Sequence, residues 1–322
     1  MNMALIVCGG ILAFVAILGA GLVLFAMYIR RRVEAAVPAL GRFVQVGDSR
    51  LHIVERGSGP TLVLVHGLGA QLRNFYALVE HLAPKFHVIC VDRPGCGYST
   101  RPAHVSASLL GQADTIAKLL ASLGLEKPII VGHSYGGALA LALALNHPER
   151  VGGLALVAPL THAQDVVPHA FRDLVIPSGR LRRLIAWTIA APASIAAGAK
   201  IMDLVFRPDA VPADFATSAG GLLALRPGQF FCASSDLIGV RDDLRTMVAR
   251  YPSIRVPVGI LFGRGDAILS YQDHGVAMQS KIDGLTVSLV EGGHMLPITA
   301  PEQTARWIAE FAGRISRTQS DS

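Results

Sequence analysis

The sequence is poor in charged residues and in long basic tracts. Each shortage limits the classes of protein to which the chain can belong. Charged residues make up 16% of the 322 residues, against 52% hydrophobic ones, which is more apolar than an ordinary soluble domain. The net charge of +6 comes with no dense basic tract beyond Arg30–Arg32 and a looser group at Arg180, Arg182 and Arg183. Composition therefore does not indicate a nucleic-acid partner, and attraction to anionic lipid headgroups explains the charge more simply.

Cysteine is also scarce. None of the four cysteines belongs to a C-x-x-C pair, which leaves no sequence signal of a zinc knuckle or a dithiol redox motif. Cys8 lies in an apolar run, Cys90 in a predicted strand, and Cys96 and Cys232 in loop-like surroundings. We therefore expect reduced thiols, and no metal or organic cofactor is implied.

The longest uncharged run, Ala4–Ile29, stands near the start of the sequence and is followed by Arg30–Arg32. As a helix it would reach nearly 40 Å, at about 1.5 Å per residue, which exceeds the ~30 Å hydrocarbon core of a bilayer. A cleaved signal peptide is the alternative, but it would carry basic residues before a shorter apolar core, and none precede this run. Residues 1–32 are therefore predicted to be an uncleaved single-pass anchor, and the arginines behind it predict that the main domain lies in the cytoplasm.

After the anchor, short apolar segments alternate with helical ones. Near-continuous apolar strands separated by helices are typical of a mostly parallel sheet that is covered on both faces. The first two strands flank the turn Gly47–Ser49, which is a hairpin signal. The predicted strands are 43–46, 51–55, 62–65, 87–91, 129–131, 154–157, 258–262 and 286–290.

This alternation stops at Pro159, and residues 160–252 are rich in Ala, Leu and Pro, with helical patches and no clear strand. We predict an α/β core made of residues 33–159 and 253–315, with a helical cap inserted at 160–252. Residues 33–41 read as a linker, and the polar residues 316–322 are predicted to be a disordered tail.

The stretch Val131–Gly137 places one serine, Ser134, between glycines two residues away on each side. A G-x-S-x-G pattern is weak alone, but here a predicted strand precedes it and a helix-forming run follows. That order is the one required by a nucleophile elbow, a sharp turn that displays a serine hydroxyl above the sheet. The alternative is an ordinary Gly-rich turn between a strand and a helix.

A serine needs a base to take its proton. Of the eleven histidines, His294 is favoured because it follows the last predicted strand, at the sheet edge where ligands collect; His66, His133 and His147 are the alternatives. The base needs a carboxylate to hold its tautomer. Asp266, just after the penultimate strand, is favoured over Asp165.

His66-Gly-Leu-Gly69 follows the strand at 62–65 and forms a glycine-containing turn. Such a turn can direct backbone N–H groups at a developing oxyanion. In this geometry the donors would be the amides of Leu68 and of Tyr135, the residue after the serine. A simple tight turn is the alternative.

Together these stretches resemble the α/β-hydrolase superfamily, and especially its capped lipase, esterase and monoacylglycerol-lipase-like branch. The resemblance implies an eight-stranded, mostly parallel sheet with an inserted cap and a catalytic triad in the chain order Ser134, Asp266, His294. Members with an aspartate nucleophile are disfavoured because position 134 is serine. In the family the loop Asp92–Ser99 is structural. The matching stretches are His66–Gly69, Asp92–Ser99, Gly132–Gly137, Gly263–Asp266 and Gly293–His294.

The resemblance implies hydrolysis of carboxylic esters through an acyl-enzyme. The anchor and the apolar cap favour lipid-derived esters, such as monoacylglycerols or medium-chain acyl esters. The segment Leu184–Ala190, preceded by arginines, is typical of a helix at a membrane surface, and a helix packed within the cap is equally consistent with it. Carbon–carbon bond hydrolysis or acyl transfer on the same triad is the alternative chemistry, and a non-catalytic, membrane-tethered binding protein is the alternative class.

Overall fold

The computed structural model describes residues 3–320, which contain an eight-stranded sheet in the order β1-β2-β4-β3-β5-β6-β7-β8. Strand β2 is antiparallel to β1 and β4, and the other neighbours are parallel, which confirms the predicted mostly parallel sheet. The strands are β1 Arg42–Val46, β2 Ser49–Arg56, β3 Thr61–Val65, β4 His87–Val91, β5 Ile129–His133, β6 Gly153–Val157, β7 Val258–Gly263 and β8 Thr286–Val290.

Helices cover both faces of the sheet, because the central strands are apolar on both sides. One face packs on α3 and on α4, whose Leu/Ala run is buried along most of its length. The other face packs on α2 and α10. These helices are α2 Tyr76–Leu82, α3 Leu109–Ser122, α4 Tyr135–Asn146 and α10 Pro301–Ser320.

The N-terminal apolar segment is one continuous helix, α1, Met3–Ala36. Residues Ile6–Ala36 are long and apolar enough to be a candidate membrane span, with a mean hydropathy of 2.6. Its end differs from expectation, because the predicted linker begins at residue 33 but the helix runs on to Ala36. Val33 and Val37 pack against Leu223 of the cap, and this apolar contact holds the last turn in helical form.

The cap segment contains three longer helices: α5 Gly179–Trp187, α6 Ala190–Phe206 and α7 Pro227–Val248. A disulfide joins Cys232 on α7 to Cys96 in the loop after β4, with the two Cα atoms 5.6 Å apart. The prediction of reduced thiols is therefore wrong for these two residues, and Cys232 lies in a helix rather than a loop. Cys8 and Cys90 are free. Helix α7 packs against α3 and α4, and the disulfide joins two cysteines that are 136 residues apart.

The last elements also depart from the predicted boundaries. The helix expected near residues 271–282 is divided into α8, Tyr271–His274, and a 3-10 turn, Val276–Ser280. A short helix, α9 Leu296–Thr299, precedes α10. Helix α10 continues to Ser320, so residues 316–320 are helical where a disordered tail was predicted; residues 321–322 lie outside the described part.

Candidate active site

Ser134 occupies the sharp turn between β5 and α4, and its backbone has φ 55° and ψ −119°. Positive φ is unusual for a non-glycine residue and strains the turn. The neighbouring glycines are needed because chain segments pass very close. A Cβ on Gly132 would lie 2.5 Å from the carbonyl oxygen of Gly136, and one on Gly136 would lie 2.1 Å from that of Val65. The local geometry is that of a nucleophile elbow.

His294 and Asp266 meet Ser134 although they lie far away in the sequence. The Ser134 Oγ atom is 3.0 Å from His294 Nε2, and His294 Nδ1 is 2.7 Å from Asp266 Oδ2. Asp266 follows β7 and His294 follows β8, so both loops leave the carboxyl edge of the sheet beside the elbow. Because the Asp266 carboxylate can only accept a hydrogen bond, the neutral imidazole of His294 carries its proton on Nδ1. Nε2 is then free to accept the Ser134 hydroxyl proton.

The side chain of Asp266 is buried. Burial raises the pKa of its carboxyl. The electrostatic interaction with His294, the hydrogen bond from His294 and the hydrogen bonds from two backbone amides outweigh this and lower the pKa below its usual value. The amides of Ile268 and Leu269 donate to Oδ1 at 2.8 and 2.9 Å. Asp266 is therefore ionised at neutral pH and fixed in position to receive the His294 N–H.

The alternative residues lie elsewhere. The side chain of Asp165 is 99% exposed and pairs with Arg241 at 3.4 Å. His147 lies at the surface beside Asp114. His66 is fully buried, and burial followed by the nearby Arg93 lowers its pKa to about 3. None of them hydrogen-bonds to Ser134 among the described residues.

The two predicted oxyanion donors are the amide of Tyr135, the residue after the serine, and the amide of Leu68, the residue after Gly67. Within residues 3–320, the amides of Leu68 and Tyr135 form no hydrogen bond to another protein group. Gly67 lies directly against the nucleophile, because a Cβ placed on it would be 3.1 Å from the Ser134 Cβ. The turn that carries the Leu68 amide therefore lies against the nucleophile, as an oxyanion site would require.

Arg93 supports the turn His66–Gly69, a role that the sequence did not reveal. Its fully buried guanidinium donates to the carbonyl oxygens of His66 and Gly67 at 3.0 and 3.1 Å, and lies 4.3 Å from the Tyr135 ring. It also pairs at 2.7 Å with Asp236 of α7. A cap carboxylate thus steadies the arginine that holds the turn. Asp236 belongs to no recognisable motif.

His133 is a second residue whose role the sequence did not reveal. Its Nε2–H donates to the carbonyl oxygen of His294 at 3.0 Å, and the two rings are 5.1 Å apart. Burial, and then the nearby His294, lower the pKa of His133 to about 3, so it is neutral. Asp209 of the cap accepts from the Gly293 amide at 2.9 Å. Both contacts position the His294 loop.

One group of described residues has the spacing of metal ligands: Cys96, Cys232 and Asp236. Its two sulfur atoms are bonded to each other, and the Asp236 carboxylate binds Arg93 and Arg101. Because cysteine binds a metal as its thiolate and the disulfide leaves none here, this group does not form a metal centre.

Comparisons with known proteins agree with this architecture. A bacterial membrane phospholipase A, described as a virulence factor, superimposes with a TM-score of 0.68 at 27% identity, over 98% of this chain and 96% of its own. A thermophilic esterase from Thermogutta terrifontis superimposes with a TM-score of 0.66 at 24% identity, over 85% and 99% of the two chains.

Among curated proteins, 2-hydroxymuconate semialdehyde hydrolase of Pseudomonas sp. (strain CF600) is 34% identical over 139 residues, 40% of this chain and 49% of that protein. The chain spans half or less of the length of several curated relatives that it matches. The family model described as alpha/beta hydrolase fold matches residues 60–301, which include every residue of the site. The chain belongs to the α/β-hydrolase family.

Proposed function

We propose that this chain is a membrane-anchored serine hydrolase that cleaves carboxylic esters, with Ser134 as nucleophile, His294 as general base and Asp266 as its orienting carboxylate. The observation that carries the proposal is the continuous chain of hydrogen bonds from Ser134 Oγ through His294 to Asp266. The strained elbow at Ser134 and the close approach of Gly67 to the serine support it.

In the first step His294 Nε2 takes the Ser134 proton as Oγ bonds to the ester carbonyl carbon. The carbonyl π electrons move to oxygen, where the amides of Leu68 and Tyr135 stabilise the negative charge. When the carbonyl re-forms, the carbon–alkoxy bond breaks and the leaving alcohol takes the proton from His294. Water then repeats the sequence on the acyl-enzyme and releases the acid.

We propose lipid-derived esters as substrates, such as monoacylglycerols or other medium-chain acyl esters. The long apolar helix α1 and the exposed apolar side chains of α5 and α6 support this choice. The similar protein described as a membrane phospholipase A also supports it. We assign residues 1–32 to the anchor, 33–159 and 253–315 to the catalytic core, and 160–252 to the cap that covers it.

Two signals conflict on the side of the membrane. Arg30–Arg32 predict a cytoplasmic domain, whereas the Cys96–Cys232 disulfide favours an oxidising compartment. We propose the oxidising side, because structural disulfides persist there and are rare in cytosolic proteins, while the arginine rule is a statistical bias. Alkaline phosphatase fused to the C-terminus should be active on that side. Green fluorescent protein fused there should not fluoresce, because it is exported unfolded. The reverse pattern would place the domain in the cytoplasm.

The function is tested with Ser134→Ala in the full chain. Hydrolysis of p-nitrophenyl butyrate should fall by at least about 10⁴-fold, as in other triad enzymes, and labelling by a fluorophosphonate probe should disappear. A matched control, Ser270→Ala, changes a serine in a loop outside the triad and should be labelled normally. Undiminished hydrolysis by Ser134→Ala would end the proposal, and a wild-type chain that the probe does not label would favour a non-catalytic binding protein.

The second candidate is carbon–carbon bond hydrolysis on the same triad, which the similarity to 2-hydroxymuconate semialdehyde hydrolase favours. A substrate panel separates the two: acyl esters of two to twelve carbons, a dienoate-type ketone, and an ester with added alcohol as acceptor. Ester turnover that rises with chain length supports the lipid-ester proposal. Faster turnover of the ketone would replace it, and accumulation of a new ester would indicate acyl transfer.

A further inference from the structure

One face of helix α1 is covered by the cap over its C-terminal half. Every residue from Ile6 to Leu18 is exposed, whereas Ala26 has no exposed surface. Helix α1 contacts α5 and the 3-10 turn at residues 221–225, both parts of the cap. The covered face consists of Gly19, Leu22, Val23, Ala26, Ile29, Val33 and Glu34, and the buried Val37 follows directly after the helix.

The length of α1 fixes where this covered face would lie in a bilayer. About 20 helical residues are needed to cross a ~30 Å hydrocarbon core. Counted from Ile6, where the candidate span begins, that length ends near Phe25. The covered face begins at Gly19, so the cap lies beside the last turns of the crossing, over about 10 Å of helix. Amphipathic helices bury their apolar face to a depth of ~5–10 Å.

The part of the cap next to α1 has an apolar surface. Helices α5 and α6, Gly179–Phe206, form a pair bent by 79°, which we call the cap hairpin. Four large apolar side chains of the hairpin and its bend are about half exposed: Leu181 47%, Leu184 60%, Ile189 51% and Ile195 51%. Single exposed apolar residues are ordinary, but a group of them on adjoining helices marks an interaction surface.

A groove beside the cap hairpin combines apolar and cationic side chains. It has a volume of about 760 Å³ and is open to the outside. Guanidinium groups bind phosphate well, and tryptophan is favoured at the boundary between headgroups and acyl chains. The charge and the apolar character of the groove therefore match a phospholipid layer. Its lining residues include Arg180, Arg183, Leu184, Trp187 and Phe231.

The junction between α1 and the domain is held by polar contacts as well as apolar ones. Glu34 pairs with Arg226 at 3.3 Å, and that guanidinium lies 4.4 Å from the Tyr98 ring. The Tyr98 hydroxyl donates to the carbonyl oxygen of Val37 at 2.6 Å. Because the helix end is tied to both cap and core, the domain keeps one orientation relative to α1.

We propose that the cap hairpin is inserted beside α1 into the near leaflet of the bilayer that α1 spans, with Arg180 and Arg183 at the level of the lipid phosphates. This inference rests on the proposed membrane anchoring. The bilayer is the occupant because the apolar surface continues the covered face of the anchor helix at the depth where lipid lies. The source of the ester substrate is then the bilayer itself.

The chain contains a probe for this contact, because it has only two tryptophans. Trp187 lies on the cap hairpin, while Trp307 is buried in the core, 8% exposed, with its Nε1–H on Ser288. The experiment uses the full chain carrying Trp307→Phe in vesicles of phosphatidylcholine and phosphatidylglycerol with brominated acyl chains. We expect Trp187 emission to fall about twofold or more, and most strongly when the bromine atoms are near the headgroup end.

The matched control is Trp187→Phe, in which the buried Trp307 remains and should not be quenched. Leu184→Glu with Ile189→Glu should weaken the quenching of Trp187 and lower hydrolysis of vesicle lipid, while leaving hydrolysis of a short soluble ester unchanged. Val276→Glu is the control: it alters an apolar residue outside the cap that is 43% exposed. It should change neither the quenching of Trp187 nor the hydrolysis of vesicle lipid.

The outcomes separate the possible failures. Extraction of the chain from vesicles by alkaline carbonate would overturn the anchor itself. Retention in the membrane with no quenching of Trp187 would overturn the inserted hairpin alone. If Trp187 were then shielded from a water-soluble quencher only at a high ratio of protein to lipid, and chains could be cross-linked to each other, the exposed face of the cap hairpin would be an interface between two copies. None of these results depends on turnover, so they stand whether or not Ser134 is the nucleophile.

Discussion

Two buried histidine–aspartate pairs among residues 3–320 have the same contact distance. His294 Nδ1 is 2.7 Å from Asp266, and His52 Nδ1 is 2.7 Å from Asp92. Backbone amides donate to both carboxylates. For Asp92, as for Asp266, burial raises the pKa, but the hydrogen bond from histidine and the other nearby donors bring it below its usual value. The contact alone does not distinguish the two pairs.

The difference lies at the other ring nitrogen. His294 Nε2 meets the Ser134 hydroxyl, whereas His52 Nε2 meets the carbonyl oxygen of Leu40, which has no proton to give and cannot attack a carbon. The His52–Asp92 pair therefore acts as a structural tie between the segment after α1 and the loop after β4. In the proposed mechanism the His294–Asp266 pair is catalytic because the Ser134 hydroxyl completes it.

Of the substitutions that test this comparison, Asp266→Asn should have the largest effect, and the effect is on turnover. The amide no longer selects the Nδ1–H tautomer of His294 or stabilises the imidazolium, and in other triads this change lowers turnover by about 10⁴-fold. Because the Asp266 side chain is as buried as that of Asp92, stability should fall as well, and turnover is therefore expressed per folded molecule. Turnover of p-nitrophenyl butyrate and thermal unfolding measure the two effects. A loss of less than tenfold would remove Asp266 from the proposed mechanism.

The second largest effect is expected on stability, when the Cys96–Cys232 disulfide is removed. This bond holds the loop after β4, which also carries Asp92. Cys96→Ala with Cys232→Ala should lower the free energy of unfolding by up to about 4 kcal/mol, because the bond closes a long loop. Urea unfolding of the full chain in detergent measures it. Cys90→Ala is the control for loss of a buried free thiol. Equal stability of the double variant and wild type would contradict a persistent disulfide.

Asp92→Asn should sharpen the contrast with Asp266→Asn, because it removes the charge from the structural pair. We expect a loss of about 3 kcal/mol of unfolding free energy, as when one partner of a buried pair is removed, with turnover per folded molecule within a few fold of wild type. Active-site titration with a fluorophosphonate corrects for unfolded protein. A 10⁴-fold loss of turnover in correctly folded protein would give Asp92 a catalytic role.

The smallest effect concerns His133, a buried histidine that hydrogen-bonds to a backbone carbonyl rather than a carboxylate. Its pKa is about 3 in the folded chain and about 6.5 when unfolded. The unfolded state therefore takes up the proton first, so stability is fully present above about pH 6.5 and is lost as the pH falls. His133→Gln should reduce this slope by about 1.4 kcal/mol per pH unit. Urea titrations near pH 7 and 5 would show it; an unchanged slope contradicts a neutral His133.

Much of the fold was predictable because its signals are local. The strands His87–Val91 and Thr286–Val290 were predicted at their observed ends, since each is a short apolar run between turns. Ser134, Asp266 and His294 each follow such a strand. In a parallel sheet the carboxyl ends of the strands share one edge, so their meeting could be expected from strand order.

The contacts between cap and core could not be predicted in the same way. Pairing of Cys96 with Cys232 depends on where α7 crosses the core, which no local pattern records. The Arg93–Asp236 pair spans 143 residues, and neither residue stands in a pattern that specifies the other. The extension of α1 to Ala36 likewise depends on packing against Leu223, not on its own composition.

The fixed junction at Glu34 and Arg226 has a kinetic consequence for the proposed anchored hydrolase. An enzyme held upright on a spanning helix meets its substrate by lateral diffusion in two dimensions. Its rate should then follow the mole fraction of ester in the lipid, and diluting the vesicles at constant composition should leave the turnover of each molecule unaltered.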